Sequence, residues 1–253
     1  MNKIFSSLNA LYLSVKGIKT LNYDQLFRDK RVAIVGPADS AFEKQNGEYI
    51  DNFDFVIRIN KAPSTWKSES ESYTGTKTDV WFHSFFENED SGGGTLSPVV
   101  LKNREVSILV NPRTTLDAYR RSFYFYRKYG YSIDVYHLPK DLYMALMSNF
   151  SSDLKPTIGL TTLYTLLNSK CKELFITGFT FFKTPYAEGY RDHLIDMKAN
   201  ENHIKRQGQH DTELEYEIFK VSLKNSLCSK VDMDKKLEEI LNLDPQFSFK
   251  NFR

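Results

Sequence analysis

Two cysteines, Cys171 and Cys228, are too few for a disulfide framework in a chain of 253 residues. One bridge is conceivable, but reduced thiols in a cytoplasmic protein are the simpler reading. No stretch approaches the roughly 20 consecutive apolar residues of a membrane-spanning helix. Residues 1–20 lack a small-residue cleavage site, so they do not read as a signal peptide. An excess of one charge is also missing: 34 basic and 32 acidic residues leave a net charge of +2, which argues against a dedicated nucleic-acid binder. Several chemical signatures are absent. There is no G-x-G-x-x-G, no G-K-[ST] loop, no H-E-x-x-H and no Cys/His cluster, and no G-x-S-x-G turn. A usual dinucleotide site, a P-loop and a zinc centre are therefore disfavoured, and no cofactor or metal is expected. The one D-x-D, Asp232-Met233-Asp234, reads as part of a charged helix running into Lys235 and Lys236.

What is present is an ordinary globular composition, 41% hydrophobic and 26% charged. A single domain of this size buries about three quarters of its unfolded surface, so a core and a cleft are both attainable. Short apolar runs rich in β-branched and aromatic residues predict strands at Arg31–Val35, Phe53–Asn60, Thr78–Ser84, Val106–Asn111, Tyr131–Leu138 and Glu173–Gly178. Helical periodicity lies between them at Thr115–Tyr129, Lys140–Phe150 and Leu160–Ser169, and Asp211–Leu243 reads as mostly helical. This alternation predicts an α/β fold, a single Rossmann-like domain over 29–253 with a mostly parallel sheet flanked by helices. Ligands bind outside the carboxyl ends of such strands, which singles out Gly36, Asn60 and Gly178. Residues 1–28 read as an N-terminal amphipathic helical segment. Ile4, Phe5, Leu8, Leu11, Tyr12, Val15 and Ile18 recur at helical spacing among Lys3, Lys16 and Lys19. The plain reading is a helix packed on the domain surface. The alternative is peripheral contact of residues 1–20 with an anionic membrane surface or a partner. Glu87–Ser97 and Thr184–Gly208 read as long loops.

The turn Val35-Gly36-Pro37-Ala38-Asp39-Ser40 joins a strand to a helix entrance, where free amides favour an anion. Of five histidines, His83 and His137 sit at strand ends and His203 in a polar loop. His193 and His210 stand beside acidic residues, in HLID and HDTELE, and a neutral imidazole there suits general-base work.

Four segments resemble the sialyltransferase family, glycosyltransferase family 29. VAIVGPADSAFEKQNGEYIDNFDFVIRINKAP, Val32 to Pro63, resembles the family's large motif through Ile50-Asp51, Asp54, Val56, Arg58, Asn60, Ala62 and Pro63. GTKTD, Gly75 to Asp79, resembles the stretch that follows. PTIGLTTLYTLLNSKCKELFITGF, Pro156 to Phe179, resembles the small motif. HLID at His193 and HDTELE from His210 to Glu215 resemble the two short motifs, with the histidines seventeen residues apart.

The resemblance implies an inverting, metal-independent transfer of sialic acid or a related ulosonic acid from a CMP-sugar to a hydroxyl of a glycan or glycolipid. Gly36, Ser40, Asn60, Lys155, Thr157, Ile158 and Gly159 would hold the nucleotide and phosphate. His193 would assist the leaving phosphate and His210 would be the general base, with Glu215, Asp39 and Arg58 supporting. Departures accompany it. Gly36-Pro37-Ala38-Asp39 stands for G-N-S-G, Pro156-Thr157-Ile158-Gly159 for P-S-T-G, and Lys155 where animal enzymes often have Tyr. Val32 replaces the large-motif cysteine, so Cys171 lacks its usual disulfide partner. Together these imply a cytoplasmic bacterial relative, with CMP-Kdo as an alternative donor. A catalytically inactive nucleotide-binding relative and a non-catalytic scaffold also remain open.

Overall fold

The computed structural model describes residues 3–88, 92–192, 198, 200 and 208–244. It holds one eight-stranded sheet in the order β1-β6-β5-β4-β3-β2-β7-β8. The strands are β1 Ile18–Thr20, β2 Arg31–Val35, β3 Phe55–Ile59, β4 Val80–Phe82, β5 Ile108–Val110, β6 Val135–His137, β7 Glu173–Thr177 and β8 Val231–Met233. All seven neighbouring pairs are parallel.

The helices are α1 Lys3–Gly17, α2 Tyr23–Phe27, α3 Gly47–Asp51, α4 Ala62–Thr65, α5 Glu71–Thr74, α6 Pro98–Asn103, α7 Leu116–Tyr129, α8 Lys140–Met147, α9 Ile158–Leu167, α10 Thr212–Lys224 and α11 Lys235–Asn242. The expected α/β architecture is present. The sequence overlooked two short edge strands: β1, which follows α1 and pairs with β6, and β8, which lies within the segment read as mostly helical. Asp234 is accordingly not mid-helix. It is the N-cap of α11, its Oδ1 accepting from the Leu237 N–H at 2.9 Å.

The strands read as unbroken apolar runs because both faces are buried. Alternate residues serve separate cores. Val32, Ile34, Ile57, Ile59, Leu174 and Ile176 pack on one face with α8, α9, α10 and α11. Ala33, Val35, Val56 and Phe175 pack on the other with Ile50 and Phe53. Helix α9 lies in the core despite three threonines, because Thr161, Thr162 and Thr165 each donate their hydroxyl to the carbonyl four residues back, at 2.8, 2.7 and 2.8 Å. Cys171 and Cys228 are free thiols whose sulfurs face one another at 2.7 Å.

Helix α1 lies against the domain with its larger apolar stripe outward. It packs on α7 through its small-residue side, with Ala10, Leu13 and Gly17 buried. A Cβ on Gly17 would lie 2.5 Å from the Tyr126 hydroxyl. The stripe itself faces outward: Ile4, Phe5, Leu8, Leu11, Tyr12 and Val15 are all more than half exposed. No helix among the described residues is long and apolar enough to cross a membrane.

The chain leaves β2 for β3 on one side and β7 lies on the other, so the sheet switches direction at the carboxyl end of β2. Gly36 and Gly178 meet there. The Gly36 N–H donates to the Thr177 carbonyl at 2.8 Å and the Ala38 N–H to the Gly178 carbonyl at 3.0 Å. A Cβ on Gly36 would lie 2.2 Å from the Gly178 carbonyl oxygen, a backbone atom that cannot swing aside. Gly36→Ala is therefore expected to destabilise by about 2 kcal/mol or more, lowering the thermal midpoint by about 5 °C or more. The control Gly130→Ala, at a helix C-cap with φ +59° where a Cβ would meet only Asn9 Nδ2 at an ordinary 3.6 Å, should cost only about 1 kcal/mol. Equal midpoints for the two variants would refute the close-approach argument.

Candidate functional site

A cavity of about 400 Å³ opens at the carboxyl ends of the strands. Pro37 and Ala38 after β2, Asn60 after β3, Ser84 after β4, Arg113 after β5 and Gly178 to Thr180 after β7 contribute to its wall. The N-terminus of α9 and the segment before α10 close it with Lys155, Thr157, Ile158, Gly159, His210 and Glu215. Three non-glycine wall residues, Asn60, Phe181 and Phe182, have positive φ of +48°, +51° and +62°. Backbone strain of this kind persists where the surroundings fix it, often at functional sites.

Thr157 organises the end near His210. As N-cap of α9 its Oγ1 accepts from the Leu160 N–H at 3.1 Å, and it donates to Glu215 Oε2 at 2.6 Å. The Thr157 N–H donates to Glu215 Oε1 at 2.8 Å. Both Glu215 oxygens are thus committed to the head of α9. Burial pushes the Glu215 carboxyl up to about 8, although the Thr157 hydrogen bonds oppose the shift. The N–H groups of Ile158 and Gly159, in the first turn of α9, have no carbonyl four residues back within the helix, and both residues line the cavity. Such a helix start favours an anion.

His210 sits beside this clamp. Its Nδ1 lies 2.7 Å from the Lys155 carbonyl, so Nδ1 carries the proton and Nε2 keeps its lone pair. The Lys155 N–H donates in turn to the Gln209 carbonyl at 2.8 Å. Burial lowers the imidazole pKa. The bond to Lys155 opposes that, and the positive charges of Arg113, Lys155 and Arg191 lower it further. His210 is therefore a neutral base at ordinary pH, and Nδ1 stands 3.8 Å from Glu215 Oε1.

Asn60 also fits the expectation. Its Oδ1 accepts from the Ser84 N–H at 3.2 Å, and no described residue accepts from its Nδ2. Four other expected residues do not line the cavity. Gly36 lies behind the wall with its N–H bound to Thr177. Ser40 is buried, its hydroxyl donating to Asp234 Oδ2 at 3.1 Å. Asp39 accepts the Thr184 hydroxyl. Arg58 is buried and donates to the carbonyls of Thr74, Gly75 and Lys77, from 2.6 to 3.0 Å, which makes it a loop anchor rather than a ligand contact. His193 and His203 lie outside the described residues.

The remaining histidines are buried. His83, with burial lowering its pKa to about 4, accepts from the Phe85 N–H at 2.8 Å and donates to the Gly93 carbonyl at 2.7 Å. His137 is held by the Arg113 carbonyl.

Sequence reasoning missed Arg113, Asp117 and Arg121, at the end of β5 and the start of α7. The signal was available. The strand-end rule that selected Gly36, Asn60 and Gly178 applies equally to Asn111-Pro112-Arg113. No group of three or more His, Cys, Asp or Glu among the described residues is arranged to hold a metal ion.

A parallel sheet with a switch-point cavity, an anion-favouring helix start and a neutral histidine places the candidate site of this α/β fold at the carboxyl ends of its strands. The family model for glycosyltransferase family 29 (sialyltransferase) matches residues 5–226, and the chain belongs to that family. A crystal structure of a mammalian sialyltransferase matches with a TM-score of 0.55 at 18% identity, covering 88% of this chain and 78% of the other. A mammalian sialyltransferase in complex with Gal-beta-1-3GalNAc-ortho-nitrophenol matches with a TM-score of 0.53 at 19% identity, covering 87% and 77%. At that identity the likeness establishes the fold. No curated protein matches the chain.

The raised Glu215 pKa makes a pH prediction. A group whose folded pKa exceeds its unfolded value stabilises fully below the unfolded value and progressively less as pH rises through the folded one. His210, with a lowered folded pKa, acts in the opposite sense only below its ordinary value of 6.5. From pH 6.5 to 9 the wild-type thermal midpoint should therefore fall relative to Glu215→Gln, which has no such titration. Parallel pH profiles for the two proteins would contradict the assignment.

Proposed function

We propose that this glycosyltransferase moves an ulosonic acid, such as sialic acid, from a CMP-linked donor to a glycan hydroxyl with inversion and without a metal. The carrying observation is the His210 tautomer. The Nδ1–H bond to Lys155 leaves Nε2 as an acceptor beside the α9 N-terminus. In this reading the acceptor hydroxyl gives its proton to Nε2 as its oxygen attacks the anomeric carbon. The bond from that carbon to the phosphate oxygen breaks on the opposite face, and CMP leaves with the electron pair. The Ile158 and Gly159 amides and the Lys155 ammonium stabilise the departing phosphate. Asn60 holds the nucleotide from the β3 end. His193 assists the phosphate on the strength of the family motif. Glu215 does no proton transfer and keeps Thr157 and His210 in place.

The test is release of CMP from CMP-sialic acid and, in parallel, CMP-Kdo, with a panel of glycan acceptors. Acceptor-stimulated release from one donor should fall by about 100-fold or more in His210→Ala, while CMP still binds. Because the His210 pKa is lowered, the acid limb of the wild-type rate should lie below pH 6.5. Release insensitive to His210→Ala would remove the base assignment. A chain that binds CMP but turns over neither donor would be an inactive relative.

The outward apolar face of α1 supports a second element of the proposal, peripheral docking on an anionic membrane surface. The helix has no acidic residue, carries Lys16 near its end, and shares with Phe123 and Arg127 of α7 an apolar groove lined by Ile4, Leu8 and Leu11. Apolar burial with flanking cations is the pattern that binds anionic lipid. The protein should sediment with phosphatidylglycerol vesicles and not with phosphatidylcholine vesicles, and Phe5→Ser with Leu8→Ser should abolish this. Binding that is equal on both vesicles, or that survives the double variant, would exclude the α1 face.

A further inference from the structure

The cavity carries more positive charge than a donor with one phosphate and one carboxylate would use, and the surplus lies at one end. Arg113, Arg121, Lys155 and Arg191 all line it. Its carboxylates offset little. Asp117 is held by Arg121, Nε to Oδ2 2.7 Å, and burial holds Glu215 toward its neutral form. Lys155 immediately precedes the α9 entrance, and Arg191 acts on Lys61, next to Asn60, so both belong with the donor's anions.

Arg113 is placed differently. It leaves β5, three strands from β2, which is about 14 Å along the sheet from the Pro37–Ala38 turn at ordinary strand spacing. Its loop is fixed from behind. The Arg113 carbonyl accepts Nδ1–H of buried His137 at 2.7 Å, His137 Nε2 meets Ser122 Oγ at 3.1 Å, and Tyr119 stacks on the imidazole with centroids 4.1 Å apart. Among the described residues nothing accepts a hydrogen bond from the Arg113 guanidinium. Of the cations near His210, Arg113 acts on the imidazole most strongly. A guanidinium that makes no hydrogen bond to a described residue, on a backbone held by His137 and with Asp117 acting on it only through space, thus shares the cavity with the group that takes the acceptor's proton. A guanidinium fork matches an oxyanion through two parallel hydrogen bonds.

We propose that Arg113 binds an anionic group of the acceptor, so that the acceptor is an acidic saccharide whose attacking hydroxyl lies near its acid group. The proposal rests on the transferase reading with His210 as base. It assigns Arg113 to acceptor specificity and leaves donor binding to the α9 and β2–β3 side of the cavity.

Calorimetric titration of the CMP-loaded protein tests it with 3′-sialyllactose, a glucuronic acid-terminated disaccharide and galactose 6-phosphate, each against lactose. At least one acidic saccharide should bind about tenfold or more tighter than lactose. Arg113→Gln should weaken that binding by about tenfold to hundredfold, the loss of one charged contact, and leave the affinities for lactose and CMP unchanged. Arg113→Lys, with charge but no fork, should recover the phosphate saccharide better than the carboxylates. Equal affinity for lactose and every acid overturns the proposal, as does a loss in Arg113→Gln that falls on CMP. The initial CMP titration reads the underlying reading separately. A wild-type chain that binds no CMP fails as a CMP-dependent transferase and takes the acceptor proposal with it.

Discussion

The arrangement of this site depends on one buried carboxyl group. Glu215 takes both the N–H and the hydroxyl of Thr157, and so joins the start of α9 to the start of α10. Those two helix starts supply different things: α9 offers amides to an anion, and the segment before α10 offers the His210 ring. Without the clamp they belong to separate parts of the chain, 58 residues apart at the joined positions. The clamp also sets the local electrostatics. A permanently ionised Glu215 would stand 3.8 Å from the imidazole and favour its protonated form, which cannot accept a proton. Burial resists that ionisation. The same residue therefore fixes geometry and helps keep the base neutral.

A second carboxylate does comparable work beneath the cavity. Asp234 Oδ2 accepts from Ser40 Oγ, Thr177 Oγ1 and the Gly178 N–H, at 3.1, 3.0 and 2.8 Å, while Oδ1 caps α11. It ties the turns after β2 and β7 to a helix at the far edge of the sheet. Gly36 and Gly178 can then approach backbone to backbone, and Pro37 and Ala38 are presented at the cavity wall. The turn after β2 is shaped by what lies behind it. Its glycine and serine look like ligand-binding residues in the sequence because both roles call for small or hydroxyl-bearing residues at a strand end.

That ambiguity explains what was legible. Apolar runs buried on both faces located β2 to β7 of the sheet, since Val32, Ile34, Ile57 and Leu174 leave little alternative to a central strand. The strands β1 and β8 have three residues each and sit at the edges, where one exposed flank removes the pattern that reveals a strand. The α1 stripe had the right periodicity, but periodicity does not say which face packs. Ala10 and Gly17 allow close approach to α7, and the larger apolar residues are left outside. At the site, Lys155 and Thr157 were reached through the family resemblance and His210 through that and its place beside acidic residues, and all three line the cavity. Arg58, expected only in a supporting part, anchors the 74–77 loop through three carbonyls; the sequence did not show which loop it would hold.

The electrostatic asymmetry of the cavity follows from topology. The side proposed for the nucleotide is built where the sheet changes direction, from backbone turns with small residues and little charge. The opposite side is built from β5 and α7, whose N-cap Thr115 starts a helix only two residues after Arg113. That loop is short, and its Arg113 carbonyl is held by His137. Arg121 is instead held by Asp117, one turn earlier on α7. Arg113, which makes no hydrogen bond to a described residue, then shares the cavity with the neutral His210 imidazole; in the proposed reaction the acceptor hydroxyl enters between them. Such a charge in a partly desolvated wall is costly to leave unmatched, and a neutral hydroxyl matches it poorly. An acidic group carried with that hydroxyl would offset the cost and orient the nucleophile toward Nε2 in the same contact.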